Sequence, residues 1–340
     1  MAAEADDTPV SVPLEWLPWH EGARAHVATA LEGGRLPHGL LLHGPDGVGK
    51  ERFAGVLAAG LFCRQRIAGP TPCGACPDCA LSRAGSHPDL HWLRKPEDKK
   101  SIGVDQVREA CDELGMTSMR GGYRVAIISP ASIMTTAAQN ALLKTLEEPA
   151  ARTLLVLVTA RPSQLLPTLR SRCQRVEVPR PPCAQATAWL TAELGSQPSP
   201  RLLELTGGAP LRALAIAPHF EALESEMPGM LEALLGGRVD VTRLAADMLG
   251  EGLPARLDWL EDWLGQLVRA RALPDATRLT VPGSPLLQRA SGEVNITAAF
   301  RLVDRVRESR RLLEGSAAPA LVVEALLIEL KAATRRRGVA

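Results

Sequence analysis

A glycine-rich segment at residues 44–50, GPDGVGK, has the residue types and spacing of a phosphate-binding loop. It fits the pattern G-x-x-x-x-G-K, follows the apolar run GLLLH and precedes a segment of helical periodicity. Glycines in such a loop let backbone N–H groups close around phosphate, while a lysine reaches the outer oxygens. We therefore predict Gly44, Gly49 and Lys50 as phosphate-binding positions, the alternative being a plain turn from strand to helix.

Two positions that ATP hydrolysis requires carry unsuitable side chains. Glu51 stands where a hydroxyl should hold magnesium, and Asp46 adds a second carboxylate to the loop. The apolar run at residues 124–128 ends in Ser129 and Pro130, where acids should orient magnesium and the attacking water. Glu51 falls in the first turn of the predicted helix, so we expect its carboxylate to occupy electrostatically the place of phosphate. The prediction is a degenerate loop without intrinsic ATPase activity.

Four of the seven cysteines fall within one short segment. They are Cys63, Cys73, Cys76 and Cys79. Two overlapping C-x-x-C turns and a fourth thiolate suit a tetrahedral zinc site, and a site filled entirely by protein ligands is structural. A redox dithiol and four uncommitted thiols are the alternatives, and His87 and His91 are candidate substitute ligands.

The predicted elements change character about halfway along the chain. Short apolar runs alternate with helical segments, which predicts an α/β fold with a mostly parallel sheet covered on both faces. These runs lie at residues 39–43, 124–128, 153–158 and 174–178. The proline-rich PRPP at residues 179–182 ends the alternation and predicts a domain boundary, since only helical periodicity follows.

Composition limits the classes of function. The formal net charge of the 340 residues is +1, so the chain lacks the basic excess with which a stand-alone nucleic-acid binder neutralises phosphates. An odd number of cysteines without an export signal argues against a disulfide framework. With no apolar run long enough to cross a bilayer, we expect a cytoplasmic protein without membrane contact.

Two more motifs, AQNALLKTLEEP at residues 138–149 and LRSRC at residues 169–173, complete a family resemblance. Together with the four-cysteine insertion after the phosphate-loop helix, they resemble the delta-prime subunits of the bacterial DNA polymerase III clamp loader, which are AAA+ relatives. The similarity runs across nearly the whole chain. It implies three domains: residues 1–180 as an AAA+ P-loop (RecA-type) domain with a zinc module at 63–79, residues 181–221 as a small helical lid, and residues 222–340 as an all-α collar for oligomerisation.

The resemblance also implies where function resides. Arg172 in the tripeptide Ser171-Arg172-Cys173 would be an arginine finger that acts in trans on the ATP site of an adjacent motor subunit, the alternative being a surface salt bridge. Arg212, in GGAPLR, matches a position that senses nucleotide within the same chain. ATP would then belong to the neighbouring subunit, while structural zinc would be this chain's own cofactor.

The implied setting is a hetero-oligomer within the DNA-directed DNA polymerase (nucleotidyltransferase) holoenzyme in DNA replication. Its implied partners are the clamp-loader motor subunits, the clamp-opening subunit, the sliding clamp indirectly, and primer–template DNA as part of the complex. Two other functions stay open. One is an active ATPase motor subunit of the same complex, and the other is a zinc-module protein that binds nucleic acid alone.

Overall fold

The computed structural model describes residues 11–66, 68–96, 99–250, 252–272, 284–314 and 317–335. The chain forms two compact units, Met1–Trp189 and Leu190–Ala340. Their division falls inside the helix Cys183–Leu194, the first helix after the PRPP segment at which we predicted a boundary. The predicted subdivision of the second part into a lid and a collar stays a prediction.

A parallel sheet forms the centre of the first unit. Its strands are β1 (Gly39–His43), β2 (Leu90–Leu93), β3 (Arg124–Ile128), β4 (Thr153–Thr159) and β5 (Gln174–Glu177), in the spatial order β2-β3-β4-β1-β5. Every neighbouring pair is parallel, with Leu41 opposite Leu157 across the central pair. The sequence predicted all of these strands except β2, which is a short, half-buried edge strand and so lacks a continuous apolar run.

Helices cover both faces of this sheet. The helices of this part of the chain are α1 (Glu21–Glu32), α2 (Lys50–Phe62), α3 (Pro77–Arg83), α4 (Val104–Gly115), α5 (Thr136–Glu147), α6 (Pro167–Arg170) and α7 (Cys183–Leu194), of which α3 lies beside α2 and α7 spans the division between the units. Side chains of β1 alternate between two cores: Leu40 and Leu42 pack with α2, and Leu41 packs with α4 and α5. Because all three leucines are at most 1% exposed, both faces are dry, as expected for a parallel sheet.

Within its described residues, the second unit is built from helices alone. They are α8 (Pro200–Leu205), α9 (Pro210–Ile216), α10 (Phe220–Leu235), α11 (Val241–Met248), α12 (Leu253–Ala272), α13 (Ser284–Glu293), α14 (Ile296–Glu314) and α15 (Pro319–Arg335). Trp259 and Trp263, four residues apart on α12, bury one face of that helix in the core. Among the helices described, we find none that combines the length and the apolar character needed to cross a bilayer.

Candidate functional site

The glycine-rich loop joins β1 to α2, as predicted, and its backbone requires glycine at two of the predicted positions. Gly44 has φ of +149°, and a Cβ atom there would lie 2.1 Å from the carbonyl oxygen of Val178. Gly49 has φ of +85° and is the N-cap of α2. A side chain at either position would clash or strain the turn, so the backbone of the loop depends on these two glycines.

Lys50 is held by the loop itself. Its side chain is 7% exposed, and its Nζ donates to the Pro45 carbonyl oxygen at 2.6 Å and to Asp46 Oδ1 at 3.4 Å. Burial lowers the pKa of Lys50, and the negative charges of Asp46 and Glu51 oppose that shift. A phosphate group would have to compete with the two loop oxygens for this ammonium.

Glu51 and Ser129, the two departures from the hydrolytic pattern, contact each other. Ser129 Oγ donates to Glu51 Oε1 at 2.6 Å, and Arg94 Nη2 donates to Glu51 Oε2 at 3.1 Å. We expected the Glu51 carboxylate to take the place of phosphate in the loop, but its described hydrogen bonds go to these two side chains. The hydroxyl of Ser129 and the carboxylate of Glu51 are thus in direct contact. In an active enzyme, the residues at these two positions would hold magnesium.

Two residues that the sequence analysis did not single out contact the backbone of the loop. Trp19 Nε1 donates to the Val48 carbonyl oxygen at 2.8 Å, and His20 Nε2 lies 3.3 Å from the same oxygen. Both side chains are buried, and this burial lowers the pKa of His20 to about 4. The available signal was a pair of tryptophans, Trp16 and Trp19, in a chain with only 3% aromatic residues.

The four predicted cysteines come together in one cluster beside α3, and their Sγ atoms all lie within 4.8 Å of one another. Cys73 Sγ is 3.9 Å from Cys79 Sγ, and Cys76 Sγ is 3.8 Å from Cys63 Sγ. Four sulfurs at ~2.3 Å from one zinc ion in a tetrahedron lie about 3.8 Å apart. The donor set and its spacing therefore fit a single structural zinc ion.

Backbone N–H groups support the cluster. The amide of Cys73 donates to Cys63 Sγ, and the amide of Cys76 donates to Cys73 Sγ, each at 3.4 Å. Hydrogen bonds from the amides of Ala75 and Cys76 lower the pKa of Cys73 to about 6, which favours the thiolate that a metal requires. In the part of the chain that the structure describes, the cluster consists of these four cysteines alone.

Neither histidine proposed as a substitute ligand belongs to the cluster. His87 stacks on the ring of Phe62 with centroids 3.9 Å apart, and its Nδ1 accepts from the amide of Asp89. His91 pairs with Glu113 and lies 3.1 Å from Arg124 Nη2. Both imidazoles therefore serve the packing around β2.

The tripeptide at residues 171–173 follows α6. Its cysteine is buried in the core, and its serine and arginine are exposed at the surface. Cys173 is buried under the sheet, and burial raises the pKa of its thiol to about 11, so it is an inert packing residue. Arg172 is 37% exposed, with its Nη2 at 2.6 Å from Glu147 Oε1 and its Nη1 at 3.0 Å from the Thr168 carbonyl oxygen. Ser171 Oγ donates to that same carbonyl oxygen. Arg172 is thus presented at the surface in an ion pair.

Arg212, the predicted sensor, lies on α9 in the second unit and forms an ion pair with Asp258 of α12. Asp258 is 4% exposed and also pairs with Arg310 at 2.5 Å. Burial raises the pKa of Asp258, against the opposing effect of the two guanidinium groups. The described contacts of Arg212 are therefore those of a network that joins α9, α12 and α14.

A parallel sheet in the order β2-β3-β4-β1-β5, with a glycine-rich loop of the pattern G-x-x-x-x-G-K between β1 and a helix, is the arrangement of a P-loop α/β protein, and here a four-cysteine cluster follows that helix. Residues 19–182 match the family model described as DNA polymerase III, delta subunit. The chain belongs to the DNA polymerase III subunit delta' family, as two relatives show.

The relative from Pseudomonas aeruginosa, DNA polymerase III subunit delta', is 34% identical over 92% of this chain and 96% of its own length. The protein of the same name from Escherichia coli is 36% identical, over 79% of this chain and 81% of its own. A crystal structure of a DNA polymerase III gamma subunit-related protein from Thermotoga maritima aligns with 91% of this chain and 100% of its own, with 21% identity and a TM-score of 0.43.

Proposed function

We propose that this chain is a non-hydrolysing subunit of the DNA polymerase III clamp loader that supplies Arg172 in trans to the ATP site of an adjacent motor subunit. The observation that carries the first half is the hydrogen bond between Ser129 and Glu51. Magnesium at a phosphate loop is held by a loop hydroxyl and by an acid at the end of a neighbouring strand. Here the position after the loop lysine provides the acid and the position after β3 provides the hydroxyl, and the two side chains form a hydrogen bond.

The surroundings of Lys50 support the same conclusion. Its ammonium already has two oxygen partners within the loop, and Asp46 and Glu51 would repel a polyphosphate. A nucleotide would therefore displace favourable contacts and meet two negative charges before it gained any magnesium. The loop is best understood as a rigid connection between β1 and α2.

The second half of the proposal rests on the position of Arg172. An ion pair between exposed groups is worth only about 0–1 kcal/mol, so leaving Glu147 for a phosphate on a neighbouring chain costs little. A planar, permanently charged guanidinium can follow phosphate oxygens as their charge redistributes, and such a finger is worth roughly a thousandfold or more in turnover. Cys173 fixes the backbone beneath it, so the arginine projects from an anchored turn.

The remaining assignments follow from family membership and from the cysteine geometry. The chain's own cofactor would be one structural zinc ion on Cys63, Cys73, Cys76 and Cys79, and ATP would be bound by the neighbour. Its partners in a hetero-oligomer would be the motor subunits and the clamp-opening subunit, with the sliding clamp and primer–template DNA met through the complex. The setting would be the cytoplasm.

The test is to reconstitute the clamp loader with Arg172→Ala and to measure DNA-stimulated ATP turnover. We expect a loss of roughly a thousandfold at the site that Arg172 serves. Arg175→Ala is the matched control, because Arg175 is an exposed arginine on the nearby strand β5. Equal turnover by the two variants would refute the finger.

Two measurements on the isolated chain address the other functions. Tight ATP binding with hydrolysis would identify a motor subunit in place of the proposed role. Salt-sensitive binding of DNA by the monomer would identify a zinc-module protein that acts alone.

A further inference from the structure

A cavity of about 640 Å³ lies in the first unit, at the opposite edge of the sheet from the glycine-rich loop. Tyr123 and Arg152 line it, and they come just before β3 and β4, whereas the loop follows the end of β1. Because the strands are parallel, their amino ends share one edge and their carboxyl ends share the other. The cavity therefore belongs to a different place from the site described above.

Four arginines from three separate segments converge on this cavity. They are Arg64 and Arg66 after α2, Arg120 before β3 and Arg152 before β4. The one acidic residue of the lining, Asp89, is already satisfied by Ser118 Oγ at 2.9 Å and by the amides of Met119 at 2.8 Å and Arg120 at 3.0 Å. Asp89 keeps its negative charge, but the four guanidinium groups outnumber it, so the lining has a net positive charge.

Two of these arginines lie against Asp78, a residue between two of the clustered cysteines. Arg120 Nε donates to Asp78 Oδ1 at 2.7 Å, and Arg64 Nε lies 3.7 Å from Asp78 Oδ2. Asp78 is buried and sits between Cys76 and Cys79, and Arg64 also donates to the Arg120 carbonyl oxygen at 2.7 Å. Each guanidinium carries several N–H donors, so these contacts orient the two groups and leave other donors for a ligand.

Arg152 reaches the cavity from an unfavourable backbone conformation. Its φ is +57°, and among the described residues it is the one non-glycine residue with positive φ. An L-residue in this region costs roughly 1–2 kcal/mol, and such residues concentrate at binding sites. Its Nη1 lies 3.4 Å from the Gly121 carbonyl oxygen, which directs the guanidinium towards the loop that carries Arg120.

Four apolar or aromatic side chains form the larger walls of the cavity, and Cys63 and His87 complete its side-chain lining. The four are Leu31, Leu61, Phe62 and Tyr123. The volume falls within the range of roughly 300–1,000 Å³ that is usual for small-ligand sites. Guanidinium groups match phosphate oxygens in geometry and charge, while apolar and aromatic walls suit a base or sugar. An acidic peptide would pair with the arginines, but its carboxylates would make few favourable contacts with the apolar and aromatic walls.

We propose that this cavity binds a phosphate-bearing nucleotide, either free or at the end of a DNA strand. The guanidinium groups of Arg64, Arg66, Arg120 and Arg152 would bind the phosphate, and the wall formed by Tyr123 would contact the base or sugar. In this proposal the cysteine cluster also helps to form the cavity, because it positions Asp78, which contacts Arg64 and Arg120. The proposal is independent of Arg172 and of the trans ATP site.

The experiment is an equilibrium titration of the full, zinc-loaded chain at low salt with two probes, ADP and a 5′-phosphorylated oligothymidylate. The test variant combines Arg66→Ala with Arg152→Gly, because glycine accepts the left-handed backbone at position 152 without loss of stability. Arg120 is left intact, since its removal would leave the buried Asp78 without its closest partner. Arg108→Ala, at an exposed arginine on α4, controls for the loss of surface positive charge.

Saturable binding of either probe is expected, weakened about tenfold or more in the double variant and changed less than about twofold in Arg108→Ala. Binding of ADP would identify a free-nucleotide site, and binding of the oligonucleotide alone would identify a DNA end. The proposal is overturned if neither probe saturates, or if Arg108→Ala weakens binding as much as the double variant. It is also overturned if an oligo-aspartate peptide binds more tightly than both probes.

Discussion

Ser129 Oγ and Glu51 Oε1 are 2.6 Å apart, which makes the two departures from the hydrolytic pattern one structural feature. In sequence they are separated by 78 positions and look like independent losses. In the folded chain they form a charge-assisted hydrogen bond across the carboxyl edge of the sheet, with Arg94 neutralising the carboxylate on its other oxygen. Neither residue can be replaced without affecting the environment of the other.

We expect this pair to show energetic coupling in a double-mutant cycle of Ser129→Ala and Glu51→Ala. Each single change should lower the free energy of unfolding by about 1–2 kcal/mol, because a hydrogen bond to a charged group is lost. The loss stays modest because Glu51 is half-exposed and water can solvate its carboxylate. The coupling should be on the order of 1 kcal/mol by urea denaturation. Strictly additive costs would mean that the contact contributes nothing.

The ion pair between Arg172 and Glu147 leads to a second prediction, made on the reconstituted complex. Glu147→Gln should change ATP turnover less than about threefold, because an exposed ion pair contributes little. Arg172→Ala, in contrast, should reduce it roughly a thousandfold if the arginine acts on phosphate. If both variants lose turnover equally, Arg172 acts through its salt bridge and the finger is refuted.

The parts of the fold with a strong local pattern could be predicted from the sequence. Four of the five strands were predicted within one or two residues of their bounds, because each is a buried apolar run flanked by turn residues. The remaining strand, β2, is at the edge and mixes His91 and Trp92 with leucines, so its burial depends on tertiary contacts that no short window contains.

In the candidate site, too, features set by local spacing could be predicted from the sequence, whereas contacts between distant segments could not. Spacing alone was sufficient to predict the cysteine cluster, because a C-x-x-C knuckle has few possible geometries. Contacts between distant segments were not predictable: Ser129 with Glu51, Trp19 with Val48, and Arg212 with Asp258 each join residues tens of positions apart. The same holds for Glu51, whose partners Arg94 and Ser129 lie just after β2 and β3 and could not be foreseen from the loop sequence.

Metal analysis of the purified chain should give one equivalent of zinc. Cys79→Ser removes a fully buried ligand and should reduce bound zinc to well under about half an equivalent, with loss of the fold around α3. Cys183→Ser is the control, because Cys183 is exposed and lies outside the cluster. Full zinc content in Cys79→Ser, or an equal loss in Cys183→Ser, would contradict a four-cysteine site.

The network around Asp258 should determine the stability of the second unit. Asp258→Asn leaves Arg212 and Arg310 without their shared carboxylate. We expect the free energy of unfolding to fall by about 3 kcal/mol, the low end for a buried pair, because both arginines are partly exposed. Asp304→Asn, at an exposed aspartate on α14, should cost less than about 0.5 kcal/mol. Urea denaturation followed by circular dichroism measures both, and equal costs would argue against the network.

His20 should make the first unit sensitive to acid. Its pKa is about 4 in the folded chain because of burial, against 6.5 for an ordinary histidine, so the folded state keeps it neutral while the unfolded state takes up a proton. This contribution to stability is complete above pH 6.5 and is lost as the pH falls from 6.5 to 4, by about 3 kcal/mol in total. In His20→Gln the corresponding slope should disappear from the free energy of unfolding measured across this range. The difference between the two profiles isolates His20 from other titrating groups. Parallel profiles would show that His20 protonates equally well in the folded chain.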